Sequence, residues 1–160
     1  MIKDFLNNEW DVKCVGCSIG CAEMIPPGGI IKETENFCVN QDPEIPIEGF
    51  FIIASKNHIK SITELNLDEM LELSTLIYET RNAIKKIGKN EDITIIQEER
   101  SGHLHIWLFP RCQWMNEKFD NSINSIRGIM DYARKNLKNQ EQIENILKTV
   151  EKVKIEINKK

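Results

Sequence analysis

The chain has 160 residues, 41% hydrophobic and 29% charged, with a formal net charge of −4. That length suits one domain, or one with a helical extension, and buries roughly 70% of the unfolded surface, so neither disulfides nor a metal is needed merely to fold. The balance excludes a disordered or fibrous chain, argues against general nucleic-acid binding, and leaves no window near the ~20 apolar residues of a membrane helix. Met1 to Asn8 holds no apolar signal core, so a cytoplasmic protein without a membrane partner is expected. In such a compartment the five cysteines read as thiols or metal ligands, not as a disulfide framework.

The N-terminal third is turn-rich: Cys14-Val-Gly-Cys17, Pro26-Pro-Gly-Gly29 and Asp42-Pro-Glu-Ile-Pro46 punctuate it, with short strands expected between. Ile30 to Thr34 and Phe37 to Val39 read as a strand pair. Gly49 to Ser55 is a continuous apolar run, the mark of a central strand covered on both faces. Asn66, followed three residues later by Glu69, carries a capping box. The apolar spacing through Met70, Leu73, Ile77, Ile84 and Ile87 then predicts a helix that stops at Gly88. Ile93 to Gln97 and Leu104 to Phe109 read as a hairpin around a polar turn, the second strand ending at Pro110. From Asn121 on, two amphipathic helices follow, one through Ile123, Ile126, Met130, Ala133 and Leu137, the other through Ile143, Ile146, Val150, Val153 and Ile157. The pattern predicts an α+β fold: an antiparallel sheet with flanking helices over 1–120, plus a C-terminal helical extension over 121–160.

Histidine is the informative residue, because only His58, His103 and His105 occur. Strand alternation puts His103, His105 and Trp107 on one face and Leu104, Ile106 and Leu108 on the other, toward a core. Two imidazoles side by side on a polar face, next to a polar turn, point to function, since histidine is the neutral-pH acid, base, nucleophile and metal ligand. Cys14-x-x-Cys17 alone is ambiguous among a redox pair, a metal pair and an incidental one. A redox pair wants a βαβ setting, which the pattern does not provide. Two thiolates with two of the three histidines would complete a tetrahedral zinc site.

Asp42 to His58, followed by His103-Leu-His-Ile-Trp-Leu-Phe-Pro-Arg111, resembles the histidine-triad (HIT) superfamily of nucleoside phosphoramidases, dinucleoside-polyphosphate hydrolases and galactose-1-phosphate uridylyltransferase. The resemblance runs from Cys14 to Arg111 and leaves out the C-terminal helices. It implies that His105 is the nucleophile that attacks an α-phosphorus and forms a covalent nucleotidyl-histidine. It implies that Cys14, Cys17, His58 and His103 hold a structural Zn²⁺, as in the zinc-bearing branches, and it leaves room for a homodimer. Asp42 takes the place of a ribose-contacting aspartate, although it also suits a turn before proline. In the turn before the triad, Ser101 offers a hydroxyl, Gly102 allows close backbone approach, and Gln97 is a ribose or phosphate contact; each is equally a turn residue by composition.

The chain departs from the family at Trp107, which stands where the hydrolases carry a third histidine. An indole donates one N–H but transfers no proton at neutral pH. Losing a general acid costs roughly 10²–10⁴ in rate where the leaving group needs protonation. The substitution therefore favours phosphate-type leaving groups, and a nucleotide or dinucleotide substrate is expected. The alternative is a non-catalytic nucleotide-binding or regulatory module that keeps the zinc site, and a thiol redox protein is the weakest reading.

Overall fold

The computed structural model describes residues 1–160. Its centre is a five-stranded antiparallel sheet whose strands lie side by side in the order Lys32–Glu33, Phe37–Gln41, Phe51–Ser55, His105–Arg111 and Asp92–Gln97, with the apolar run in the middle. Two elements precede it: a small ribbon of β1 (Ile2–Lys3) and β2 (Glu9–Trp10), and a short helix α1 (Val15–Gly20) that opens at Cys14. Strands β3 (Lys32–Glu33), β4 (Phe37–Gln41) and β5 (Phe51–Ser55) follow, and every residue of β4 and β5 is buried. The ladder runs Val39 to Ile53 to Ile106, and Asn40 to Ile52 to Trp107 to Ile96. Directly paired residues share a face, so these two rows define the sheet's two sides.

Helix α2 (Leu67–Lys86) is fixed at both ends by its own sequence. Asn66 Oδ1 accepts from the Glu69 N–H at 2.8 Å, and the Glu69 carboxylate accepts from the Asn66 N–H at 2.9 Å. At the far end the Gly88 and Lys89 N–H groups bond the Lys85 and Ile84 carbonyls, the double bond of a Schellman stop. β6 (Asp92–Gln97) and β7 (His105–Arg111) form the hairpin. Helices α3 (Gln113–Lys118), α4 (Ile126–Asn136) and α5 (Gln140–Ile157) complete the chain.

Each sheet face has its own core. On one side Val39, Ile53, Leu104, Ile106 and Leu108 pack with Leu73, Leu76 and Ile84 of α2 and with Ile146, Val150 and Val153 of α5. On the other, Phe50, Ile52, Ala54 and Phe109 pack with Ile126, Ile129, Met130 and Ala133 of α4. Both C-terminal helices therefore close cores of the sheet itself. No helix is long and apolar enough to cross a membrane.

Three local expectations change. β7 does not stop at Pro110 but continues to Arg111, with Pro110 opposite Ile93. β5 pairs β7 only as far as Leu108, so the missing proline N–H falls where β7 has one neighbour rather than two. Helix α1 was not legible, being six residues with two glycines and no apolar period. Gln97 lies opposite Ile106, on the α2–α5 face, whereas Ile96 shares the Trp107 face. That one-residue alternation turns the Gln97 side chain away from His105 and out of the cavities that His105 borders.

Candidate functional site

β7 and the turn before it carry two imidazoles with opposite fates. His103 is 6% exposed. Its Nε2 lies 2.7 Å from the Ser55 carbonyl and so carries the proton, which leaves a bare Nδ1. That Nδ1 lies 3.3 Å from Cys14 Sγ, 3.6 Å from Cys17 Sγ and 3.3 Å from His58 Nδ1. Cys17 Sγ in turn lies 3.2 Å from His58 Nδ1, and all four donor atoms fall within 4.8 Å of one another. Burial, aided by the nearby His58 and His105, holds His103 below the usual imidazole range, against the pull of the Ser55 carbonyl.

The donor set fits Zn²⁺. Tetrahedral bonds of about 2.3 Å to sulfur and about 2.0–2.1 Å to nitrogen require roughly 3.3 Å between two nitrogens and roughly 3.6 Å between nitrogen and sulfur. The N–N separation of 3.3 Å matches, and the S–N separations of 3.2, 3.3 and 3.6 Å lie at that value or a few tenths of an ångström inside it. Without an ion the arrangement is costly: burial pushes the Cys17 thiol up to about 11, and Cys14 adds to the effect. A divalent cation removes that cost by binding the thiolates. The same resistance to ionisation makes Cys17 a poor free nucleophile. Cys21, exposed at the end of α1, stands outside the cluster.

Sequence and packing bring the four ligands together. Gly16, between the cysteines, sits so close to His103 that a Cβ there would lie 2.5 Å from its ring. At the other side the Leu104 N–H donates to the Ile59 carbonyl at 2.7 Å, tying the His58 segment to the start of β7.

His105 is oriented the other way. Its Nδ1 lies 2.8 Å from the His103 carbonyl and donates to it, so Nε2 is the ring nitrogen with a free lone pair. The ring is partly exposed and borders two cavities. The first, about 470 Å³, is lined by α1, by Asn40, Asp42, Ile52 and Ala54, and by Ser101, Gly102, His103 and Trp107. Ala54 sits opposite His105 in the ladder, a small side chain that leaves room beside the ring.

Asp42 borders the same cavity, and its Oδ1 accepts from the Glu44 and Ile45 N–H groups at 2.9 and 2.8 Å. Desolvation nevertheless pushes its carboxyl up to about 6, with those two bonds and Arg134 pulling the other way. Ser101 Oγ lies 2.9 Å from the Glu98 carbonyl and 3.5 Å from His105 Nδ1. Gly102 has φ +83°, a left-handed turn conformation that suits glycine. Trp107 stacks edge-on against Phe50 at 5.5 Å and lies 6.0 Å from the His105 ring, walling the cavity on one side. The structure thus gathers Asp42, Ser101, Gly102, His105 and Trp107 around one space and leaves Gln97 out. Asn40, buried and lining that space, was missed because nothing in the sequence distinguishes it from a core strand residue.

No family model matches the chain, and no curated protein does. The architecture has clear parallels among solved structures. A Zn-bound histidine triad family protein from Mycobacterium smegmatis superposes with a TM-score of 0.55 at 18% identity, over 87% of this chain and 94% of that one. A HIT family protein from Bacillus anthracis gives 0.57 at 20% identity, over 89% and 97%. A hypothetical histidine triad nucleotide-binding protein from Sulfolobus tokodaii gives 0.52 at 21%, over 83% and 93%.

Proposed function

The chain has the histidine-triad fold, and from that premise we propose that it is a nucleotidyl hydrolase or transferase acting on a dinucleoside-polyphosphate-like substrate through His105. The observation that carries this reading is the orientation of one ring. The His103 carbonyl takes the Nδ1–H of His105, so the lone pair of the neutral ring lies on Nε2, beside a cavity large enough for a nucleotide. In the first step His105 Nε2 forms a bond to the α-phosphorus while the bond from phosphorus to the bridging oxygen breaks. The leaving phosphate departs with that electron pair. Water, or an acceptor hydroxyl, then attacks phosphorus, gives up its proton and restores Nε2.

Asp42 faces the nucleoside side as an acceptor for ribose hydroxyls. Ser101 and Gly102 shape the turn over the phosphate. Trp107 supplies no proton, so the reading favours leaving groups that are stable as phosphate anions. Zn²⁺ bound by Cys14, Cys17, His58 and His103 would fasten α1 and the His58 loop to the start of the catalytic strand, a structural role for a closed four-ligand site. Free cysteines together with such a site suit the cytoplasm.

The test is covalent trapping with a dinucleoside polyphosphate labelled at the α-phosphorus. Wild-type protein is expected to retain acid-labile label and His105→Ala none, with turnover lower by roughly 10³-fold or more. Wild-type protein that binds nucleotide but never labels or turns over would instead favour the binding-module reading, in which Trp107 marks lost chemistry.

A further inference from the structure

The second cavity beside His105 has chemically different walls. It measures about 720 Å³ and shares Asp42, Glu44, Ser101, His105 and Trp107 with the first. Its far wall is α4 and the turn before it. Ile123, Arg127, Met130 and Arg134 recur there at helical spacing, and Arg100 approaches from the opposite turn. Ile123 is 65% exposed, an unusual place for a large apolar side chain on a helix start that closes the second core.

We infer that this α4 cleft is the leaving-group subsite, built to hold the second nucleotide of a dinucleoside polyphosphate: phosphates on Arg127 and Arg134, the base against Ile123, Met130 and Trp107. The inference rests on the nucleotidyl-transfer reading and deepens it. Two observations support it. An in-line displacement puts the leaving group opposite His105 Nε2 and the nucleoside to one side of that axis, so the two halves of the substrate need separate spaces, and His105 stands where the two cavities meet. The cleft also combines cationic and apolar surface, the complements of a nucleotide's phosphates and base, whereas an inorganic anion would use only the first.

Charge in the cleft is not simply positive. Asp42, Glu44 and Glu98 border it as well. Glu98, however, is occupied by Arg100 at 2.9 Å, and Asp42 by two backbone N–H groups. Arg134 pairs with Asp131 at 2.9 Å across one turn of α4, outside the cleft lining, while Arg127 forms no ion pair. Arg127 is therefore the guanidinium most available to a phosphate, and Arg134 the second. Both arginines come from α4, which also closes the second core, so the cleft wall is held by the fold itself.

Binding to the full-length chain tests this independently of turnover. The probes are the four common nucleoside 5′-monophosphates and the methylene-bridged dinucleoside tetraphosphate of whichever binds tightest. Wild type is expected to prefer the tetraphosphate by about tenfold or more. Arg127→Ala and Arg134→Ala should each weaken it roughly fivefold, with less than about a twofold change for the monophosphate, and Arg127→Lys should recover most of the loss. Equal loss for both probes, or none for the tetraphosphate, overturns the subsite while leaving the nucleotide reading intact. No binding of any monophosphate by wild type overturns both.

Discussion

His103 and His105 are two residues apart in sequence, yet their surroundings could hardly differ more. His103 is buried, bonded through Nε2 to Ser55, with its Nδ1 aimed at two sulfurs and His58. His105 is bonded through Nδ1 to the His103 carbonyl and opens onto two cavities. The contrast shows that imidazole chemistry is set by which nitrogen the backbone claims. A carbonyl on Nε2 leaves the Nδ1 of one ring free to face the sulfurs, and a carbonyl on Nδ1 leaves the Nε2 of its neighbour free to face the cavities. The Cys14–Cys17–His58–His103 cluster is a packed frame, and the cavities beside His105 are the open space built against it.

The comparison breaks most severely if the frame is removed. Cys14→Ser or His103→Ala should abolish binding of one zinc per chain and destabilise the fold by about 3–5 kcal/mol, lowering Tm by roughly 10 °C. A strong chelator should do the same to wild type. His105→Ala should leave both metal content and Tm unchanged; metal analysis and thermal unfolding of the three variants decide the matter.

A smaller break comes from Gly16. A methyl group there meets the His103 ring at 2.5 Å, so Gly16→Ala should cost about 1–3 kcal/mol and weaken zinc retention. Competition with a chelator reads the second effect. The strain is steric, so restoring a neutral buffer or adding nucleotide should not rescue it.

The smallest effect sharpens the phosphate side. Asp42 ionises in the folded protein at about 6, above its ordinary 3.8. As pH rises from about 4 to 6 the unfolded chain sheds this proton first, so the group's contribution to stability falls over that window and stays lower above it. Asp42→Asn should therefore be more stable than wild type by about 1 kcal/mol above pH 6 and equal to it near pH 4. Nucleoside binding should move oppositely: the ionised carboxylate is the stronger hydroxyl acceptor, so wild-type affinity should rise through pH 6 and the variant's should not. Urea titrations and nucleoside monophosphate binding across pH 4–8 test both.

Much of this was legible in the sequence, for identifiable reasons. Alternation along Leu104, Ile106 and Leu108 sets the core face of β7, and these residues do pack beneath α2 and α5. The Asn66–Glu69 box and Gly88 fix α2 from local chemistry alone. Gln97 misled because a strand's side chains change face at every residue, and only the ladder register shows that Gln97 faces with Ile106. Helix α1 was hidden because its formation depends on docking: Gly16 against His103 and Gly20 against the Lys56 backbone. The amphipathic pattern of α4 gave its buried stripe, but not what Arg127 and Arg134 on its other side stand beside. Periodicity shows which residues share a side, not what stands opposite them.

The most direct measurement is the protonation pattern of the two rings, read by long-range proton–nitrogen correlation on uniformly nitrogen-15-labelled, zinc-loaded protein at neutral pH. The account predicts opposite tautomers: hydrogen on Nε2 of His103 with a metal-shifted Nδ1, and hydrogen on Nδ1 of His105 with an unprotonated Nε2. A His105 ring that carries its proton on Nε2, or two rings in the same tautomer, would contradict it.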